Sequence, residues 1–246
     1  MTSCTAAPWR QNPRELERES VLMSLVPTGD SVLDIGARDG HYSRLLAERY
    51  DQVTALDLVT PEINHPRIRC VAGDLMHLDF PNRSFDCVFC AEVLEHIPDV
   101  ERAASEMSRV ARESVVVGVP LEQDLRFERC RCSCGRRSPA FGHVHSFTQE
   151  RLFALLPNLV PTEVKFAGSS KSRTNWLSVL LMDLAGNPDG SYDQAEPCIY
   201  CGKPMHRPRI GRARRILASA SARLVSLQHC FSAARPIWIQ VRFTVS

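Results

Sequence analysis

The stretch Val32-Leu33-Asp34-Ile35-Gly36-Ala37-Arg38-Asp39-Gly40-His41-Tyr42-Ser43 decides the fold. An apolar run carrying an acid passes through a turn with two glycines and enters a helical pattern continued by Leu45 and Leu46. Strand, glycine turn and helix in this order set backbone N–H groups of a helix start beside the turn, where a ligand's charged end can sit.

Working outward, Leu16, Val21, Leu22 and Leu25 give residues 13–26 one apolar side, which predicts an amphipathic helix ended by Pro27-Thr28-Gly29-Asp30. The strand 31–35 follows, then a helix over 40–49 and strands over 52–57 and 68–72. Residues 85–90 are apolar on both faces, as a central parallel strand should be. A helix over 99–111 and a strand over 114–119 come next, then a helix over 149–156 with Thr148 as its N-cap, and a strand over 162–166. An apolar helix over 176–184, a basic helix over 210–228 and a β-rich run over 237–245 close the chain. Strands alternating with helices imply a parallel sheet with right-handed crossovers.

A dinucleotide-binding turn wants G-x-G-x-x-G, whereas here the glycines stand four apart with Asp34 just ahead of them. The stretch instead resembles motif I, hh-D-h-G-x-G-x-G, of class I S-adenosylmethionine-dependent methyltransferases. Gly73-Asp74-Leu75-Met76-His77-Leu78-Asp79-Phe80-Pro81 is similar to that family's GDAxxLPF segment. Ser84-Phe85-Asp86-Cys87-Val88-Phe89-Cys90-Ala91-Glu92-Val93-Leu94-Glu95-His96-Ile97-Pro98-Asp99 resembles the FDxVxxxxVLEHxxD signature of the methyltransferase type 11 subgroup. Residues 142–152, from Gly142 through His143, His145, Phe147 and Thr148 to Leu152, resemble a GHxxxFT/SxxxL segment of the same group.

The resemblance implies an α/β fold: a Rossmann-like, seven-stranded, mostly parallel sheet with helices on both faces, its last strand antiparallel beside the sixth. It implies S-adenosyl-L-methionine as cofactor. Asp57 would take the ribose hydroxyls and Leu58 would lie on the adenine. Asp74 would accept from the adenine amino group, with Leu75 at the ring edge. Asp34, Gly36, Ala37 and Gly40 would surround the methionine end, and Cys90, Ala91 and Glu92 would form the carboxyl edge of the fourth strand, facing the crevice. Arg38 departs from the pattern, standing where the family has its middle glycine. The segment with His143 and His145 would pass over the mouth of the active site. His96, His143 and His145 are the candidates for a general base or an acceptor contact, with loop-orienting hydrogen bonds as the alternative for each.

Cysteines carry a second signal. Cys198-Ile199-Tyr200-Cys201-Gly202 is a C-x-x-C-G knuckle, and Cys130-Arg131-Cys132-Ser133-Cys134-Gly135 offers an earlier half-site. Two such halves make a tetrahedral Cys₄ structural zinc site. Cys134 is one ligand by the shared Cys-Gly pair, and either Cys130 or Cys132 is the other. A redox pair, unligated thiols, or a histidine in place of one cysteine are the alternatives.

With 246 residues, 44% hydrophobic and 24% charged, the composition is that of a soluble globular protein with one sizeable core. No apolar run reaches the roughly 18 residues of a membrane span. The first residues lack a signal-peptide core, so a cytoplasmic location is expected. Ten cysteines in that setting are thiols or metal ligands rather than disulfides. Residues 203–246 hold nine basic residues and no acid, against 21 basic and 28 acidic over 1–202. Such a tail meets phosphates or is a solvated helix face.

The expected organisation is a cofactor-binding core over 1–125, Cys-rich and lid insertions with the basic helix over 126–236, interleaved with the sixth strand, and a last core strand over 237–246. The expected activity is methyl transfer to oxygen, nitrogen or carbon of a small-molecule or glycan acceptor. The leaving group is already activated in a sulfonium, so positioning can supply much of the catalysis without a triad. The alternatives are an RNA methyltransferase gripping its substrate with the zinc module and basic tail, or a non-catalytic scaffold that binds the cofactor.

Overall fold

The computed structural model describes residues 12–171 and 173–245. The N-terminal stretch read for a signal-peptide core and the final residue of the last expected strand lie outside the described residues. The helices are α1 Pro13–Met23, α2 His41–Leu46, α3 Val100–Val110, α4 Gln149–Leu155, α5 Trp176–Ala185 and α6 Arg212–Phe231. The strands are β1 Gly29–Ile35, β2 Tyr50–Asp57, β3 Ile68–Ala72, β4 Phe85–Ala91, β5 Ala111–Pro120, β6 Cys130–Arg131, β7 Arg137–Ser138, β8 Leu159–Ala167 and β9 Trp238–Val245. They divide into two units. Unit 1 runs to Leu121 and adds Phe147–Gly168 and the chain from Pro236 on; unit 2 is Glu122–Ser146 and Ser169–Arg235. The division keeps α4 and β8 with the sheet, and unit 2 is made of two separate excursions on either side of them.

Unit 1 is a seven-stranded sheet in the order β3-β2-β1-β4-β5-β9-β8. The first five strands pair in parallel, and β9 pairs antiparallel with both β5 and β8. Alternation along β1 explains the layers. Leu33 and Ile35 face one core with Val88, Val115, Met107 of α3 and Leu152 of α4. Val32 faces the other with Phe89, Val116, Leu22 of α1 and Leu46 of α2. Asp34 shares the face of Val32, and there the Ser43 hydroxyl donates to its Oδ2 at 2.5 Å.

One ionic knot ties the loop between β3 and β4 to α3. Glu106 accepts the Leu78 N–H at 2.9 Å, and Arg109 bridges Glu106 to the Leu78 and Phe80 carbonyls at 2.8 and 2.7 Å.

Unit 2 contains the β6–β7 hairpin, in which Cys130 pairs Ser138, and the helices α5 and α6. Asn175 caps α5 reciprocally with Ser178, and the Ser221 hydroxyl of α6 donates to the Ser178 carbonyl at 2.7 Å. Its hairpin region buries only a small cluster: Cys130, Cys132, Tyr192, Cys198 and Met205.

Hydrogen bonds from Arg109 hold the Glu106 carboxyl down at about 2. A depressed acid stabilises the fold above the ordinary glutamate range and loses that contribution as pH falls through its native value. Glu106→Gln should therefore cost about 1–3 kcal/mol at neutral pH. The loss should shrink toward zero as denaturation is repeated down to acid pH; a pH-independent difference would refute the ionic role.

Candidate active site

Parallel register brings the strand ends to one edge. Ile35 stands opposite Leu56 and Cys90, and Asp57 stands opposite Ala72. The residues that follow, Gly36, Leu58, Gly73 and Glu92, therefore leave the sheet along its carboxyl edge, where open α/β sheets bind ligands.

The glycine turn is built tightly. Gly36 and Ala37 donate to the Leu56 carbonyl at 2.8 and 3.1 Å, and Gly40 donates to Ala37 at 2.7 Å. Gly36 and Gly40 have φ of 74° and 75°, and a Cβ on them would meet Val93 at 2.4 Å and Ile63 at 2.3 Å. Only glycine fits either place. Arg38 also has positive φ, 46°, so the backbone keeps a glycine-like path despite the side chain. Its N–H donates to Asp57 Oδ2 at 2.9 Å, while Leu58 N–H donates to Oδ1 at 2.7 Å. Gly73 N–H reaches the Asp57 carbonyl at 2.8 Å. Motif I, the end of β2 and the end of β3 thus meet at Asp57.

Beside Asp57, Leu58 and Val59 are 74% and 78% exposed. Two large apolar side chains left bare next to a carboxylate and a glycine turn suit a flat base on a ribose. Asp74 accepts the Met76 N–H at 2.9 Å on Oδ1 and forms an isolated bridge with His77. Three of the expected lining residues carry buried side chains. Leu75 and Cys90 put their side chains into the core, and Ala37 is likewise buried, because each sits on the inward phase of its segment. Their backbone, not their side chains, belongs to the edge. Asp34 is buried against Ser43, where it holds α2 to β1.

Arg18, Trp238 and Tyr42 were missed as site residues in the sequence, and Glu92, read there at the crevice edge of the fourth strand, was given no role. Glu92 follows β4 with φ 55°, and its Oε2 accepts from Arg18 of α1 at 2.7 Å and from Trp238 Nε1 at 3.1 Å. Its Oε1 is buried with no hydrogen-bond partner among the described residues. Burial raises the Glu92 carboxyl, with Arg18 opposing. The guanidinium of Arg18 stands 5.2 Å from the Trp238 ring centre, and Tyr42 packs on Phe89 at 5.2 Å. The amphipathic period of 13–26 placed α1 but gave no sign that Arg18 points inward. A positive φ on a non-glycine residue has no sequence signature at all.

His96 ends a short 3₁₀ turn over Leu94–His96 in unit 1. His143 and His145 belong to unit 2, where His143 Nδ1 lies 2.5 Å from Gln123 Oε1. Thr148 caps α4 by accepting the Arg151 N–H at 3.2 Å.

In unit 2 the sulfurs of Cys132, Cys134, Cys198 and Cys201 all lie within 4.8 Å of one another. Cys132 and Cys201 are 3.5 Å apart, and Cys134 and Cys198 are 3.9 Å apart. A tetrahedral zinc with ~2.3 Å bonds to sulfur separates its ligands by about 3.8 Å. Both halves end in a glycine of positive φ, Gly135 at 84° and Gly202 at 67°, and turn through Gly135 N–H to Cys132 O and Gly202 N–H to Cys198 O. Cys130 lies outside the group: buried beside Tyr192 and Met205, its thiol is pushed up to about 11. The Cys134 backbone N–H and the other sulfurs bring Cys132 down to about 6. Cys201, despite a backbone N–H from Lys203, is pushed up to about 11. Four sulfurs so close share negative charge poorly without a cation among them.

Comparison with known proteins agrees with this geometry. Residues 33–117 match the family model described as a methyltransferase domain. An uncharacterized methyltransferase of Mycobacterium tuberculosis is 33% identical over 108 residues, 41% of this chain and 53% of the relative. A ubiquinone biosynthesis O-methyltransferase of Idiomarina loihiensis is 37% identical over 82 residues, 29% of this chain and 33% of the relative. The chain thus spans about half the length, or less, of these curated relatives. Among solved structures, an S-adenosylmethionine-dependent methyltransferase from Mesorhizobium loti aligns with a TM-score of 0.52 at 16% identity, covering 92% of this chain and 96% of that one. The N-methyltransferase NodS of Bradyrhizobium japonicum with S-adenosyl-L-homocysteine aligns at 0.53 and 17%, covering 98% and 93%. These last two show a shared fold.

Burial pushes the Asp34 carboxyl up to about 7, the Ser43 hydroxyl opposing and the charge of Asp57 adding to the rise. An acid raised in the native state stabilises below its unfolded value and loses that contribution as pH rises through its native one. Thermal midpoints of Asp34→Asn should therefore gain on the parent between the ordinary carboxylate range and pH of about 7. A constant offset across that window would remove Asp34 as a buried titrating group.

Proposed function

We propose that this chain, whose residues 33–117 match the methyltransferase-domain model, is a class I S-adenosylmethionine-dependent methyltransferase that transfers a methyl group to a small-molecule or glycan acceptor. The observation that carries this reading is the meeting at Asp57 of the motif I turn, the end of β3 and the bare pair Leu58 and Val59. When bound, S-adenosylmethionine supplies a methyl group on a sulfonium. The chain's own part is to hold and orient it. Asp57 offers carboxylate oxygens to the ribose, and Leu58 and Val59 cover the base. Asp74 accepts from the base's amino group. The glycine turn leaves room for the amino-acid end, with Arg38 on a path that glycine would normally take. Glu92 Oε1, buried without a partner, is the group at the carboxyl edge we assign to an acceptor N–H or O–H, where it can take a hydrogen bond or the departing proton. Its raised carboxyl suits proton transfer near neutrality better than a solvated glutamate would.

Unit 2 holds a structural zinc on Cys132, Cys134, Cys198 and Cys201 in this reading. Four thiolates close the coordination sphere, so the metal pins the two excursions and does no chemistry. The donor set and spacing support it, and the small buried cluster beside it gives the reason one is needed.

Calorimetric titration of the purified protein with S-adenosylmethionine and S-adenosylhomocysteine tests the first claim. Micromolar binding lost by at least about tenfold in Asp57→Ala is expected, since a carboxylate bound to two hydroxyls contributes on the order of 1.5–3 kcal/mol. No binding by folded protein would leave the fold without the enzyme. Elemental analysis tests the second claim. One zinc per chain is expected, falling to near none in Cys198→Ser but kept in Cys130→Ser; equal loss in both would move the site.

A further inference from the structure

Helix α6 is apolar on two faces. On one, Leu217, Ala218, Ser221, Leu224 and Val225 are buried or half-buried, and there α5 is tied on through Ser178 and through Asn175 to Gln228 at 2.9 Å. On the other, Ile216, Leu227 and Phe231 are 70%, 58% and 84% exposed. At 3.6 residues per turn these three fall within about 60° around the axis, and Arg212 and Arg223 stand on the same side. Helix α5 carries its own bare stripe of Trp176, Leu180 and Leu184, spaced by four and free of charge. A surface helix ordinarily keeps its outward face polar. From Lys203 to Phe231 the chain has seven basic residues and no acid. Unit 2 as a whole has fifteen basic residues against seven acids, and the rest of the chain has fifteen against twenty-one.

We propose that the outer face of α6, with the bare stripe of α5, is a docking surface for an anionic lipid bilayer. The two halves of the feature demand different things of a partner. Ile216, Leu227, Phe231 and Trp176 gain only by leaving water, while Arg212, Arg215 and Arg223 gain by meeting negative charge. An interfacial helix satisfies both, its apolar stripe entering the acyl boundary and its arginine stems reaching back to lipid phosphates. Among the described residues no helix is long and apolar enough to cross a membrane, so α6 lies on the surface. A nucleic acid backbone would satisfy the arginines and leave the aliphatic stripe wet. A second copy of the chain would bury the stripe but bring the same arginines face to face.

Flotation of the full, zinc-loaded chain with vesicles decides the matter. Binding to vesicles containing phosphatidylglycerol is expected, with little to pure phosphatidylcholine and a loss on adding salt. Leu227→Asp and Phe231→Asp should each weaken binding tenfold or more, at a magnitude of about 2 kcal/mol for a buried aliphatic or aromatic side chain. Arg212→Gln and Arg223→Gln should each weaken it about fivefold. All four positions are exposed, so unchanged circular dichroism and thermal midpoints are expected and certify the fold. The proposal is overturned by absent binding to anionic vesicles, by variants that bind like the parent, or by displacement with RNA. It is equally overturned if light scattering finds a dimer that Phe231→Asp dissociates without altering flotation.

Discussion

Parallel pairing of β1 with both β2 and β4 is the constraint from which the site follows. Each parallel neighbour needs a crossover, and every crossover leaves the sheet at the same carboxyl edge. Matching Ile35 with Leu56 and Cys90 puts the glycine turn, the end of β2 and the residue after β4 side by side before any side-chain chemistry is considered. Asp57 then joins them: it accepts the N–H of Arg38 from one connection while its carbonyl accepts from Gly73 of another. A residue whose carboxylate and carbonyl already tie three backbone segments together is preorganised for a ligand that must touch all three.

Buried acids next to this edge divide into two kinds. Asp34 is raised by burial and satisfied by Ser43, so its work is structural, joining α2 to the strand that precedes the turn. Glu92 is raised by burial too, but only one of its oxygens is paired. It also holds a left-handed backbone conformation, which costs a non-glycine residue about 1–2 kcal/mol. Arg18 and Trp238 hold the side chain there, and a strained, half-satisfied carboxylate at a ligand edge is what acceptor binding could use.

The order of elements was legible because short apolar runs, each carrying one acid, mark β1 and β4, while a period near 3.6 marks α1 and α3. The antiparallel last strand beside the sixth came from the family resemblance, while the strand order, with β9 between β5 and β8, came from the structure, since no local pattern encodes which strands pair. Gly36, Asp57 and Asp74 could be placed because they end strands. Whether Leu75 and Cys90 face the ligand or the core depends on a phase that apolar residue types do not reveal. Cys130 and Cys132 were equivalent in sequence. What separates them is the hairpin: Cys130 pairs Ser138 inside β6, where it is buried beside Tyr192, while Cys132 lies just beyond the strand, where the turn through Gly135 can carry it to Cys201.

The two units are stabilised by different means, and charge follows the same division. Unit 1 hides its apolar residues in two layers on a seven-stranded sheet and can carry a net negative charge at little cost. Unit 2 has few residues to bury around its hairpin, and its α5 and α6 pack on each other through serines, Asn175 and Gln228 as much as through leucines. A segment selected only to fold would spend Ile216, Leu227, Phe231 and Trp176 on that thin core. Leaving them outside, with arginines and no acid along α6, forgoes stability that unit 2 can least spare. A metal on Cys132, Cys134, Cys198 and Cys201 would explain how the unit keeps its shape despite that arrangement, but not why the arrangement exists. A surface that must work at a boundary between water and an anionic apolar phase accounts for both the bare side chains and the missing acids.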